Sequence, residues 1–294
     1  RPIIVFSAII DPELLSKNPH QEVPLVAFGG LITKLSEELT SANATTLLDR
    51  AYNIAIDPRP GAVYLPISPV QAITEIDIDD SEIDRIITNT NKSITADKKS
   101  INKAIDLINA SKKPIMVAGV GSVASKISNE LLSFMHKIDS PACVTLQAVG
   151  NIPCNDTLYL GMYGWFGTPI DEMLKEADLI ITVGLDGWDI IRPYKSEVPI
   201  ISIDDADVND RTFQPVSVGL KGNMTETLRS LQNLLEERET DSDWLKKAKD
   251  CFEKIHSFEL GISSEYKESS GIAPQAVYKE IRKVVPEETI IAAD

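Results

Sequence analysis

The feature that most constrains this chain is a repeated alternation of short, predominantly apolar runs with longer stretches whose apolar residues recur at helical spacing. Pro114–Val120, Ala142–Leu146, Asp178–Gly184 and Pro199–Asp204 are each too short for a helix and too uniformly apolar for a half-exposed strand. Between them, Ile101, Ala104, Ile105 and Ile108 form one stripe, and Ile127, Leu131, Phe134, Met135 and Ile138 a second. Met224, Leu228, Leu231 and Leu235 form a third. Strands that read as continuous apolar runs are covered on both faces, which is the condition of a parallel sheet joined by right-handed crossovers. We therefore expect an α/β fold with a parallel six-stranded sheet and helices on both faces.

The same rhythm opens the chain. Pro2-Ile-Ile-Val-Phe6 reads as a buried strand, Leu47, Leu48, Ala51, Ile54 and Ala55 as a helix face, and Ala62-Val-Tyr-Leu65 as a strand. Asp57-Pro-Arg-Pro-Gly61 breaks the helix between them. Residues 72–97 are acidic, then rich in Asn and Thr, without a sustained period, and read as a linker. The charged segment 237–270, with Trp244, Phe252 and Phe258, reads as an amphipathic connector helix. Val277, Ile281 and Val284 then give a helix face, closed by Pro286, and Thr289–Asp294 reads as a strand. The expected organisation is a partial domain over 1–71, the linker 72–97, a central domain over 98–236, the connector 237–270 and the start of a further domain over 271–294.

Composition excludes several classes of partner. A net charge of −15 and a pI near 4.7 disfavour attraction to nucleic acid. No apolar run approaches the ~18 residues of a membrane span, and no targeting segment opens the chain, so the expected setting is the cytoplasm. Cys143, Cys154 and Cys251 show neither CxxC spacing nor an even count, and His20, His136 and His256 stand apart, so no metal site is expected. Acidic runs such as Asp77–Asp80 read as solvated faces.

Two glycine clusters could carry chemistry. Gly119-Val-Gly-Ser122 joins a strand to a helix, where free N–H groups can face an anion. The third glycine of a dinucleotide fingerprint is missing, and a plain turn with Ser122 capping its helix is an equal reading. Leu160-Gly-Met-Tyr-Gly-Trp-Phe-Gly-Thr168 can line a flat ligand or pack into the core. It precedes a helix start at Thr168-Pro-Ile-Asp171, with a hydroxyl cap, proline at the first helical position and an acid in the first turn.

Leu160–Thr168 resembles the Leu-Gly-Met-x-Gly-Met-His-Gly-Thr loop of acetohydroxyacid (acetolactate) synthases, thiamine-diphosphate-dependent enzymes, at six of its eight specified positions. Pro141–Pro153 resembles that family's Pro-Val-x-x-Thr-Leu-x-Gly-x-Gly-x-x-Pro stretch, and Lys113–Gly121 its strand and glycine loop. His20-Gln21-Glu22 and Arg59-Pro-Gly61 resemble the late part of its pyrimidine-binding domain, and Pro274–Asp294 the first helix and strand of its pyrophosphate-binding domain.

The resemblance implies an enzyme that uses thiamine diphosphate and magnesium to decarboxylate a small 2-keto acid and transfer the acyl unit, as a homodimer or homotetramer. The activating glutamate and the Gly-Asp-Gly to Asn-Asn metal motif would lie outside this chain, leaving it inactive alone. Gln21, beside His20, is the implied active-centre residue. Gly119, Gly121, Thr145, Leu146, Leu160, Gly161, Met162, Gly184 and Asp204 are the implied cofactor contacts, with FAD as an optional second cofactor. Departures stand at Ala8-Ile9 for Gly-Gln, His20 for Phe, and Ser68-Pro69-Val70 for Pro-Lys-Asp. Asp186 replaces the arginine expected to grip flavin, so weak flavin binding or none is expected. The competing expectation is a non-catalytic nucleotide-binding or oligomerisation module with the same central fold.

Overall fold

The structure is a computed structural model. It describes residues 2–15, 17, 20, 23–57, 59–77, 95–164, 168–187, 189–206, 213–236, 240–260, 274–286 and 288–291. The chain divides into two compact units, residues 1–94 and 95–294.

In the first unit, β1 (Ile3–Ala8) is followed by the short helices α1 (Pro12–Leu15) and α2 (Leu25–Gly30) and by β2 (Leu35–Ser36). Then come α3 (Ala44–Ile56), β3 (Ala62–Ile67) and α4 (Pro69–Ala72). The three strands form a parallel sheet in the order β1-β3-β2. Leu47, Ala51 and Ala55 of α3 bury against Val63 and Leu65 of β3, the helix face expected from spacing. Lys34 closes the break after α3: its Nζ donates to the carbonyls of Ile54 and Arg59 and pairs with Asp57 at 3.0 Å. Among the described residues β1 pairs with β3 alone, and Ile3, Val5 and Phe6 on it are exposed.

The second unit opens with α5 (Lys98–Ala110), whose N-terminal N–H groups on Lys99 and Ser100 are accepted by the Asp97 carboxylate. It continues through β4 (Pro114–Ala118), α6 (Val120–Ala124), α7 (Ser128–Lys137) and β5 (Ala142–Val144). Next are β6 (Tyr159–Met162), α8 (Ile170–Glu176), β7 (Leu179–Val183), β8 (Tyr194–Lys195) and β9 (Ile200–Asp204). The last elements are β10 (Phe213–Gln214), β11 (Val218–Lys221), α9 (Met224–Leu234), α10 (Ser242–Leu260) and α11 (Pro274–Val284). The main sheet is six-stranded and parallel throughout, in the order β11-β9-β7-β4-β5-β6. Counted along the chain, this is the doubly wound order 3-2-1-4-5-6.

Both faces are filled because the strands alternate. Met116 and Ala118 of β4, Ile181 and Val183 of β7, and Ile201 and Ile203 of β9 pack with α5, α7 and α9. Ile115, Val117, Cys143, Ile180 and Ile200 point the other way, into a layer built by α8 and α10. The helices on both faces and the six parallel strands are as expected.

The differences lie at the sheet margins. Residues 159–162, expected within a glycine loop, form the edge strand β6, and β11 at the other edge had no expected counterpart. Both are four residues long, one is interrupted by Gly161 at φ +116° and the other alternates buried with exposed. Thr289–Ile291 carries no strand, and the rest of that expected strand lies outside the described residues, as do residues 78–94 of the expected linker.

The helix expected over the charged segment is α10, and it is built into the core. Trp244, Ala248, Cys251 and Ile255 recur at helical spacing and are buried. The Trp244 indole N–H donates to the Pro114 carbonyl at 2.9 Å, tying the helix to the start of β4. Trp244→Phe removes that donor and is expected to cost about 1–2 kcal/mol, and Trp244→Ala, which also opens a cavity, about 3–5 kcal/mol. Urea melting of the two variants beside the parent measures both; a Trp244→Phe variant as stable as the parent would mean that the hydrogen bond contributes nothing.

Candidate functional site

In a doubly wound sheet, crossovers leave in opposite directions from the two central strands, opening a crevice at their carboxyl ends. Here those strands are β4 and β7. The chain leaves β4 through Gly119-Val120-Gly121 and leaves β7 through Gly184-Leu185-Asp186, so two of the glycine positions singled out by sequence meet face to face.

Their approach requires glycine. Gly184 has φ +60°, and a Cβ on it would lie 2.3 Å from the Ser122 nitrogen. A Cβ on Gly121 would lie 2.8 Å from the Gly184 carbonyl oxygen, and one on Gly119 2.5 Å from the same oxygen. The two loops are joined directly: the Gly121 N–H donates to Gly184 O at 2.8 Å and the Gly119 N–H to Val183 O at 2.9 Å.

Asp189 completes the junction. Its carboxylate accepts from the Val120 N–H at 3.2 Å, from the Asp186 N–H at 2.8 Å and from the Thr145 hydroxyl. Three loops, following β4, β5 and β7, thus converge on one buried carboxylate. Burial holds its pKa above the ordinary carboxylate value, against the lowering effect of the Thr145, Asp186 and Val120 donors. Beneath it, the Asn151 amide donates to Ser122 Oγ at 2.7 Å, Ser122 Oγ donates to Gly119 O, and Ser128 bonds Asn151. Ser122 is therefore a donor that braces the loop, not the acceptor cap of its helix.

Of the residues implied by resemblance, Gly119, Gly121, Thr145 and Gly184 meet at this junction. Asp204 ends the neighbouring strand β9, buried, accepting from the Ala206 N–H at 2.8 Å. Leu146 follows Thr145 and is half-exposed. Leu160, Gly161 and Met162 lie apart on β6; Leu160 is a core side chain, and Gly161 faces Ile255 of α10. His20 is exposed, and Gln21 lies outside the described residues.

At the helix start expected from Thr168, the capping interaction runs in reverse. Asp171 accepts from the Thr168 N–H at 2.7 Å, while the Thr168 hydroxyl has no partner. Arg192, from the loop after β7, pairs with Asp171.

Sequence reasoning missed Asp189. Its only signal is its place six residues past the end of the buried strand β7, with no motif around it. Among the described residues no cluster of three metal-ligating side chains occurs, and no helix is long and apolar enough to cross a membrane. Cys143 and Cys251 are buried with pKa values pushed up, Cys251 to about 11, so neither is an activated nucleophile.

Gly184→Ala is expected to cost more than about 4 kcal/mol, because the clash is with backbone on both sides. Soluble yield and urea midpoint test it. Asp189→Asn leaves one donor facing an amide N–H₂ and is expected to cost about 1–3 kcal/mol. Because the native carboxyl binds its proton more tightly than the unfolded one, the parent gains stability as pH falls through that window and the Asn variant does not. The gap between the two should be wider at about pH 4.5 than at about pH 7. Melts at both values decide it, and a gap that narrows on acidification would contradict a raised pKa.

Comparison with known proteins agrees with this architecture. Residues 101–231 match the family described as "Thiamine pyrophosphate enzyme, central domain". The chain is 26% identical to the probable acetolactate synthase large subunit of Methanococcus aeolicus, with 100% of this chain and 52% of that protein covered. It is 25% identical to the acetolactate synthase large subunit of Haemophilus influenzae, covering 100% and 52%, and 28% identical to the probable large subunit of Methanocaldococcus jannaschii, covering 100% and 51%. The chain therefore spans about half the length of the curated relatives it matches. With the six-stranded parallel sheet, these matches make residues 101–231 similar to the thiamine pyrophosphate enzyme central domain, within a chain that is similar to acetolactate synthase large subunits along its whole length.

Proposed function

We propose that this chain is part of a thiamine-diphosphate-dependent enzyme that decarboxylates a small 2-keto acid and transfers the acyl unit to an acceptor, working as a homodimer or homotetramer. The observation that carries this reading is the match of the central sheet to the thiamine pyrophosphate enzyme central domain, combined with similarity to acetolactate synthase large subunits on both sides of it.

Thiamine diphosphate, when bound, supplies the electron sink for decarboxylation. The described residues do not fit it: no three metal ligands converge, and the buried carboxylate Asp189 is bonded to its own loops. No step of the chemistry is routed through them. The central domain's part is to hold a rigid sheet, and Gln21 is the residue of this chain assigned to the active centre. The activating glutamate and the magnesium motif are assigned to parts of the full-length protein outside these 294 residues.

The second reading, a non-catalytic nucleotide-binding or oligomerisation module, is favoured by the doubly wound strand order alone. The gene sequence separates the two: an upstream glutamate motif and a downstream Gly-Asp-Gly to Asn-Asn motif belong to the enzyme and not to the module. Full-length protein with thiamine diphosphate and magnesium should release carbon dioxide from pyruvate or a related 2-keto acid, and the 294-residue chain alone should not. Gln21→Ala in the full-length protein should lower kcat by about 10²-fold, the scale of losing one polar group aimed at developing charge. Turnover by the isolated chain, or an unaffected Gln21→Ala, would refute these assignments.

A further inference from the structure

We draw no further inference here: the strongest candidate, the side-chain cluster of Thr168, Asp171 and Arg192 between the start of α8 and the loop after β7, holds two buried donors without a partner among the described residues, the Thr168 hydroxyl and the Arg192 Nε, but nothing in the structure shows what covers them.

Discussion

A parallel sheet has to be covered on both faces, and this requirement shapes the central unit from its sequence to the junction at the carboxyl ends of β4 and β7. Most interior strand residues are apolar because they meet a helix layer above or below, and the helices carry single stripes because each covers one side. With both faces sealed, polar chemistry is confined to the strand ends. The order 3-2-1-4-5-6 then selects one pair of ends, those of β4 and β7, where crossovers diverge. Gly119, Gly121, Gly184 and Asp189 are found together there for that topological reason.

The parts of this fold legible in the sequence are those with two-sided burial. Pro114–Val120 and Asp178–Gly184 announce themselves as strands because nearly every interior position is apolar. The stripes of α5, α7 and α9 are legible because burial on one side gives an unbroken period. Edge strands are buried less symmetrically and are shorter, so Tyr159–Met162 hid inside a glycine-rich loop and Val218–Lys221 left no run to find. Helix α10 was legible as a helix, but its charged exposed face masked how fully Trp244 and Cys251 are buried.

The site was legible in a different way. Glycine positions could be located because glycine marks backbone that approaches something closely, yet the sequence does not say what. Here Gly121 and Gly184 approach each other. Asp189 was illegible because a carboxylate that caps loops distant in sequence leaves no local pattern: its partners Val120 and Thr145 stand 69 and 44 residues away. The Thr168 cap misled for a related reason, since the same four residues allow the bond in either direction and only the fold chooses Asp171 as the acceptor.

A loop rich in N–H groups at a switch point needs an anion to satisfy it, and that anion can be a ligand or a side chain. In this protein the side chain takes the place. Asp189 supplies the junction with an internal acceptor for the Val120 and Asp186 N–H groups and the Thr145 hydroxyl. An internal carboxylate also differs from a ligand in that it is tethered beside the loops it bonds, at a finite but high effective concentration. The junction at the ends of β4 and β7 is thus closed by the chain's own residues, with Asp189 accepting from Val120, Thr145 and Asp186.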